Sequence, residues 1–585
     1  MAENIELFVE RGIAELKKVL GSNTDESLLR PSPTKIGEAA CFKLTLPIDY
    51  TGIERVLRIA FPVNFPRRQL KLSVEPSPWL VWPHSMKTSL CLHGFKERPI
   101  TGSPETIVKD CIDRIRYIVS LCMMGSDEQT RLNEFQQEIS SYWNLQLDDS
   151  PQNLILFDRP EKSIKLYALS DPRRLISSGF ETIWLSSNKS IIQKHYARVL
   201  GRSAKTRALA TPSYYLKLLS LPELYIPQNE DFLQWIAPHV SQADSKEFLT
   251  WFDESKDLIS KWVLLELPNS GGRIFCLNIR SPSLQEYRGP RFGLRSSRRR
   301  NFEKNVIPPQ IILTSTINLL TKETMLSRNI DSNTNELGSK SVVLIGNGSL
   351  GGSVASQLAR SGIGHLTLID PDILVAENLG RHVLGADQLG ALKATELRKK
   401  LIMEFPIIEV KAFNEYVETV LNQKPEIFEK ADLVINTTAD WECEARLWAL
   451  KSEGSSWAYL QAWSEPYAYV GHALFAPRGA YDARIFFEDN GDFKYKLTDW
   501  PNDGIQPLPA CGESFIPGGA IGIVNIASMV AQFALHSLTS QIKDCVWCSS
   551  INKPQDTSRL KGKYLGPELP KGAQQLILER EWPSG

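Results

Sequence analysis

The chain has no surplus of charge of either sign: Lys+Arg and Asp+Glu both number 67 in 585 residues. A dedicated nucleic-acid binder shows a net basic footprint, so this balance argues against one. Cysteine is sparse, nine residues scattered over the whole length. That suits a reducing compartment and speaks against a disulfide framework. The opening MAENIELFVERGIAELKKVL is an amphipathic helix broken by charges, without the apolar core and small-residue cleavage site of a signal peptide. No internal repeat is present. One apolar stretch, residues 518–538, raises the question of a membrane span. It contains Asn525, Gln532 and His536, and a buried core helix is expected there instead. The expectation is a cytoplasmic protein with neither a membrane nor a nucleic acid as partner.

What is present is ordinary globular composition, 42% hydrophobic and 23% charged, over a length that suits about three domains. Residues 1–145 begin with a helix and continue with strand signals in CFKLTLPI, VLRIAFPV and QLKLSVEP. Prolines then cluster at Pro76, Pro78 and Pro83, and a helical pattern (Ile107, Cys111, Ile115, Ile118) runs from about Glu105 to Met124. Residues 146–320 mix strands (SIKLYAL, KWVLLELP, GRIFCLNIR) with short helices and carry no chemical motif. The basic run at Arg291, Arg295, Arg298, Arg299 and Arg300 is ordinarily a solvated loop, and otherwise a dock for an acidic tail. From Lys340 onward strands and helices alternate, which predicts a mostly parallel sheet covered by helices.

The strongest local motif is Gly346-Asn347-Gly348-Ser349-Leu350-Gly351, directly after the apolar strand Ser341–Ile345 and opening a helix. Gly346, Gly348 and Gly351 permit a tight turn and close approach of a phosphate, and the helix N-terminus adds partial positive charge. Asp370 ends the next strand at a spacing suited to a ribose hydroxyl. Alone, this describes any nucleotide or dinucleotide binder.

The residues after Asp370 narrow the choice. The segment Asp370-Pro-Asp-Ile-Leu-Val-Ala-Glu377-Asn378-Leu379-Gly380-Arg381-His382 resembles the Asp…Asn-Leu-x-Arg-Gln signature of the ThiF/MoeB/ubiquitin-activating adenylating family. Lys393 in LGALKATEL and the strand-end acid Asp440, with Arg446 beyond it, fall in order at the family's spacing. The resemblance spans about residues 321–540. It implies an α/β fold with a Rossmann-like adenylating domain over residues 321–585 and ATP with Mg2+ as cofactors. By the resemblance Asp370 holds the ribose, Asn378, Arg381 and Lys393 hold the phosphates, with Arg381 counted as catalytic, and Asp440 helps coordinate the metal. Adenylation needs cations around a crowded phosphate and a carboxylate for the metal, which agrees with those roles. His382 departs from the family's Gln. Taken singly, an Arg or Lys here is ordinarily a solvated helix face and Asp440 a helix cap; it is the ordered set that carries the reading.

Some adenylating enzymes trap the product as a thioester. Cys511, in the loop PLPACGESFIPGG ahead of the apolar stretch, stands where the autophagy-type activating enzymes carry their cysteine, and the bland alternative is a buried small hydrophobe. Cys545-Val-Trp-Cys548 is a lone CxxC without the second pair that structural zinc requires, and Cys548 is the fallback trap.

Residues 1–145 carry a second resemblance. Phe61-Pro-Val-Asn-Phe-Pro66, then LKLSV, Trp82-Pro83-His84 and Ser89-Leu90-Cys91-Leu92 look like a ubiquitin-conjugating domain, which reads FPxxYP, strand, HPN and xCL. The implied fold is α+β, followed by an α/β linker and substrate-docking domain at 146–320. Cys91 would accept the thioester, an exchange that asks for little beyond positioning. His84 stands where the family has Asn, and a histidine there is a hydrogen-bond donor or a base. His93 is a second candidate base, and either histidine alone is as readily structural.

A conjugating module followed by an activating module resembles the bacterial fusion enzymes of type II CBASS antiphage operons. That resemblance implies activation of the C-terminus of a cGAS-like nucleotidyltransferase, its transfer to an amine-bearing target, and a homodimer. The competing readings are a sulfur-carrier adenylyltransferase, which needs no conjugating module, an NAD-dependent oxidoreductase, which leaves Asn378, Arg381, Lys393 and Asp440 unexplained, and a non-catalytic scaffold.

Overall fold

The computed structural model describes residues 2–21, 29–93, 100–150, 152–171, 181–200, 212–227, 231–255, 260–268, 273–280, 311–315, 317–327, 334–507 and 514–583. Cys511 and the basic run at 291–300 lie outside the described residues. The chain divides into two compact units: residues 1–192 with 207–318, and residues 193–206 with 319–585.

The first unit opens with α1 (Ala2–Gly21) and an antiparallel meander β1 (Leu29–Pro31), β2 (Glu38–Thr45), β3 (Val56–Pro62) and β4 (Lys71–Glu75), hydrogen-bonded in that order. β3 is almost wholly buried, covered by the apolar stripe of α2 (Pro104–Cys122), where Ile107, Cys111, Ile115 and Ile118 repeat at helical spacing. Ser103 caps α2 by accepting the Thr106 N–H, and Pro104 occupies the first turn, where its missing N–H costs nothing. Two further helices follow, α3 (Glu128–Gln137) and α4 (Ile139–Gln146). From α4, the fully buried Trp143 enters the core of a second, eight-stranded mixed sheet, with its indole N–H donating to Glu223 O at 3.2 Å. Its strands are β5 (Gln152–Leu156), β6 (Ile164–Asp171), β7 (Glu181–Ser186), β8 (Ser213–Lys217), β9 (Ser260–Glu266), β10 (Ile274–Arg280), β11 (Ile311–Thr314) and β12 (Ile317–Leu319), in the order β11-β10-β9-β8-β6-β7-β5-β12, and the antiparallel pair β9 and β10 falls where the sequence expects strands.

The second unit is built on another eight-stranded sheet. Its parallel half runs in the order β15 (Glu409–Phe413), β14 (His365–Ile369), β13 (Ser341–Ile345), β16 (Leu433–Asn436) and β17 (Ala458–Ser464). β18 (Val470–Ala476), Val546–Asn552 and Gln575–Glu581 continue it antiparallel. The run Val342-Val343-Leu344-Ile345 is buried on both faces. Val342 and Leu344 belong to a core shared with helices 349–360, 393–404 and 520–538, and Val343 and Ile345 to one shared with helix 441–452. That two-sided burial is why the strand reads as an unbroken apolar run. Helix 520–538 is long and apolar enough to cross a membrane. Here Ile526, Met529, Val530 and Phe533 bury against the sheet, with Phe533 edge-on to Phe475 at 5.7 Å. This α/β architecture with a doubly wound parallel half is Rossmann-like, as expected. The chain leaves β13 toward β14 on one side, and β16 lies on the other, so a crevice opens at the carboxyl ends of β13 and β16.

Candidate functional site

The turn after β13 is dictated by its glycines. Gly346 has φ +78°, and a Cβ there would meet Thr437 C and Thr438 N at 2.9 Å. A Cβ on Gly351 would lie 1.9 Å from Gly346 O, so Gly351 lets the helix start close under the turn without itself lining the crevice. Gly348, the N-cap, has open space around its Cα. The Thr437 hydroxyl, just past the end of β16, donates to Gly346 O at 2.7 Å and ties the two strand ends together.

The crevice has a volume of about 400 Å³. Gly346, Gly348, Asp370, Asn378, Arg381, Lys393 and Asp440 all line it, together with Ser349, Asp372 and Cys443. Asp370 is buried at the end of β14. Its carboxylate accepts the Asn347 N–H at 2.5 Å and the Asp372 N–H at 2.8 Å, yet burial prevails and lifts its pKa above the ordinary range. Lys393, at the start of its helix and 8% exposed, reaches Asp372 Oδ2 at 2.9 Å. Arg381 donates to Ser349 Oγ at 3.0 Å. The Asn378 side chain accepts the Val375 N–H, and Asp440 caps helix 441–452 by accepting the Glu442 N–H at 3.2 Å. Asp440 is thus both a helix cap and a wall of the crevice. Asp372 and Ser349, which hold the two cations, were not singled out from the sequence. Asp372 stands two residues after Asp370 in the same motif, and Ser349 lies inside the glycine turn, but neither position declares which cation it holds.

His382 has a defined task. Its Nε2–H donates to Asn347 O at 2.8 Å, and Nδ1 accepts the Leu384 N–H at 3.1 Å. Burial lowers its pKa, which keeps the ring neutral with one donor and one acceptor used. It buttresses the glycine turn, a job that an amide side chain with one donor and one acceptor also fulfils.

Cys443 and Cys548 are buried, and burial pushes both thiols up to about 12. A thiol held there is almost never a thiolate at neutral pH, so neither is an effective nucleophile. Among the described residues no cluster of three His, Cys, Asp or Glu side chains suits a metal.

In the first unit, Cys91 is half-buried at the end of a clamped loop. Its N–H donates to His84 O at 2.7 Å, its thiol donates to His93 O at 3.3 Å, and Leu90 N–H donates to Leu72 O at 2.8 Å. The His84 N–H donates to Tyr142 Oη at 2.7 Å. His84 has φ +61°, a left-handed conformation in which Asn, Asp and His are the residues most often found after glycine. Its ring is buried between two carboxylates: Nε2 is 3.2 Å from Glu134 Oε2, and Nδ1 is 3.2 Å from Glu138 Oε2, the latter close enough to pair but out of line for a hydrogen bond. Burial opposes the charge on this ring, but the two glutamates outweigh it and the pKa is raised. His93 pairs with Asp110 at 3.2 Å, and Asp110 in turn with Arg114 at 3.0 Å. His84, Leu92, Asp110, Glu134 and Glu138 line one cleft of about 450 Å³. The acids Glu134 and Glu138, one helical turn apart, escaped the sequence reading because nothing in their spacing points back to residue 84.

Compared with known proteins, residues 320–451 match the model of the ThiF family, so the chain carries a ThiF domain. Two curated relatives are similar to part of the chain. The ATP-dependent ubiquitin transferase-like protein Cap2 of Pseudomonas aeruginosa is 30% identical over 242 residues, 39% of this chain and 40% of that protein. The probable adenylyltransferase/sulfurtransferase MoeZ of Mycobacterium tuberculosis is 24% identical over 206 residues, 34% of this chain and 47% of that protein. The chain therefore spans less than half the length of these relatives. Among solved structures, Escherichia coli MccB aligns with a TM-score of 0.31 at 19% identity, covering 42% of this chain and 71% of that one. At that score the likeness adds nothing to the fold read from the sheet order.

Proposed function

We propose that this chain adenylates a protein C-terminus with ATP, captures it as a thioester and passes it to an amine. The observation that carries the reading is the gathering of Asp370, Asn378, Arg381, Lys393 and Asp440 around a glycine turn at one crevice. The crevice suits a nucleotide: only glycine at 346 fits against the Thr437 and Thr438 backbone of its wall, Gly348 leaves its approach open, and two cations and an acid share the lining. Asp370 would bind the ribose hydroxyls, and Arg381 and Lys393 would face the phosphates. Asp440 would hold magnesium with phosphate and water as the remaining ligands, since the described residues offer no cage. The metal would neutralise phosphate charge. A substrate carboxylate displaces pyrophosphate from the α-phosphorus, so that an acyl-adenylate forms as the phosphoanhydride breaks. Arg381 and Lys393, held by Ser349 and Asp372, act by being in place beforehand, which is where electrostatic catalysis comes from.

The thiol of Cys511 then attacks the acyl carbon and AMP leaves. A second thioester exchange moves the acyl group to Cys91, and an amine finally displaces that thiol. The clamped loop at Cys91 supports the acceptor role. His84, with both ring nitrogens facing carboxylates, serves there as a fixed donor and not as a base. The likeness to Cap2 supports placing the chain with CBASS fusion enzymes, with a cGAS-like nucleotidyltransferase as the protein activated, and a homodimer as the working form. The test is exchange of labelled pyrophosphate into ATP in the presence of the neighbouring operon's candidate substrate. Asp440→Ala is expected to abolish substrate-dependent exchange; exchange at the wild-type rate would sink the assignment.

A further inference from the structure

Helix α4 divides its side chains between two neighbours. Ile139, Trp143 and Leu147, spaced four apart and so on one face, all bury in the core of the second sheet. None of the three joins the core that α2 builds on the first meander. Trp143 sits against Trp235 and Phe275 at ring distances of 5.3 and 5.2 Å, with its indole N–H on Glu223 O. The Gln146 amide spans the residues that follow, donating to Leu224 O at 2.7 Å and accepting the Ile226 N–H at 3.1 Å. The hydroxyl of Thr314, at the end of β11, donates to Asn144 Oδ1 at 2.8 Å. By its packing, α4 belongs to the second sheet.

Its adjoining face addresses the cysteine loop. Glu138 and Tyr142, again four apart, both reach His84: Glu138 Oε2 lies 3.2 Å from its ring Nδ1, and the Tyr142 hydroxyl accepts its backbone N–H at 2.7 Å. Tyr142 is fully buried, its ring against Phe135 and Trp79. His84 is 5% exposed, so its N–H has no ready access to water as a substitute partner. A residue at φ +61° stands outside any strand or helix ladder, and its backbone depends on partners of this kind to stay in place. His84 O in turn accepts the Cys91 N–H at 2.7 Å. Hydrogen bonds thus run from the second sheet through α4, Tyr142 and His84 to Cys91.

Resting on Cys91 as the acyl acceptor, we infer that α4 is a strut by which residues 146–320 set the Cys91 loop, with Tyr142 as its positioning residue. Transfer from Cys91 to an amine is thereby tied to the seating of α4 on residues 223–226 and Thr314. The loop of the conjugating-like segment is completed from outside that segment's own core.

The experiment uses the full chain without ATP. Cys91 is acylated from a glycine-terminated peptide thioester of mercaptoethanesulfonate, and its discharge to free lysine is followed by mass spectrometry. In that step the C–N bond forms, the C–S bond breaks, and the proton released by the amine passes to buffer. Hydrogen exchange at the His84 and Cys91 amides is read alongside. Tyr142→Phe, which removes one oxygen, should speed exchange at both amides about tenfold, the effect of a buried donor left unpaired. It should slow the limiting discharge rate by about the same factor at unchanged KM for lysine. Gln146→Leu and Thr314→Val, which lie off the loop, should move both readouts in the same direction by about threefold. Amides of α1 and β3 should exchange as in wild type. If Gln146→Leu melts too early to compare, Thr314→Val decides. Unchanged discharge in Tyr142→Phe overturns the positioning role, and unchanged exchange at His84 and Cys91 in the remote variants overturns the strut. Faster exchange throughout α1 and β3 marks general loosening and overturns both. The acceptor reading fails separately, by Cys91 taking no acyl group from the thioester, and exchange then still decides the strut.

Discussion

Alanine at position 351 should be far more damaging than alanine at position 348, although both replace a glycine of the same turn. At 351 the new Cβ would sit 1.9 Å from Gly346 O and 2.5 Å from Thr437 Oγ1. Neither atom is free to retreat, because that carbonyl is part of the turn and the threonine hydroxyl is bonded to it at 2.7 Å. Contact so far inside van der Waals distance must open the turn, and overpacking that moves backbone costs about 3 kcal/mol. Since the displaced atoms form the floor of the crevice, the cost appears as a loss of nucleotide affinity of roughly 100-fold. At 348 a Cβ meets nothing within 4 Å, so melting of the free protein should stay within about 0.5 kcal/mol of wild type. Gly352→Ala, whose Cβ meets a Val383 side-chain methyl at 3.1 Å and no backbone atom within 3.5 Å, is the neighbour control and should be mild. Titration calorimetry with a non-hydrolysable ATP analogue, alongside thermal melting, reads out all three variants. If Gly351→Ala binds the analogue as tightly as wild type, or melts no lower than Gly348→Ala, the steric account of the turn is wrong.

Asp49→Ala should destabilise the first unit by about 3–5 kcal/mol in urea unfolding, because it strands the buried Arg55 guanidinium that Asp49 pairs at 2.6 Å and leaves the Trp82 indole N–H without its acceptor; a loss under 1 kcal/mol would contradict the pairing. His84 has a raised folded pKa, so the stability it adds is full below its unfolded pKa of about 6.5 and is lost as pH rises through the folded value. His84→Gln should therefore flatten the fall in unfolding free energy above neutral pH, and parallel slopes for the two proteins would rule the glutamate cage out as its source. Cys511→Ala should stop every thioester while adenylate still forms, whereas Cys91→Lys should trap a thiol-resistant isopeptide at position 91; mass spectrometry locates the acyl group, and a first thioester on Cys443 or Cys548 would contradict their buried thiols.

The ThiF region was legible in the sequence because its features are local. Ser341–Ile345, the glycine turn and Asp370 form one continuous stretch whose backbone constraints leave little freedom. The apolar run 518–538 was also legible, since its polar residues ruled it a core helix before any sheet was in view. The partners that hold the cations were less so. Asp372 is recognisable as Lys393's partner only once the strand ends converge, and Ser349 as Arg381's only when the loop folds back over the helix start. Residues 146–320 yielded their strands but not their order, because antiparallel and parallel neighbours are mixed across that sheet and nothing in periodicity encodes it.

The histidines make the deeper point. In sequence, His84 and His93 are two equivalent candidates for acid–base work beside Cys91, and His382 is a departure from a family Gln. In the fold they separate by what faces each nitrogen. His382 meets a carbonyl and an N–H, so it is neutral and structural. His84 meets two carboxylates in a left-handed turn, so its charged form is favoured, and what position 84 requires is tolerance of positive φ, which Asn and His share. His93 lends its carbonyl to the Cys91 thiol while its ring goes to Asp110. The substitution of His for Asn that looked like a change of chemistry thus keeps a backbone shape. The chemistry it adds depends on Glu134 and Glu138, fifty or more residues away, and no motif centred on the cysteine could have revealed them.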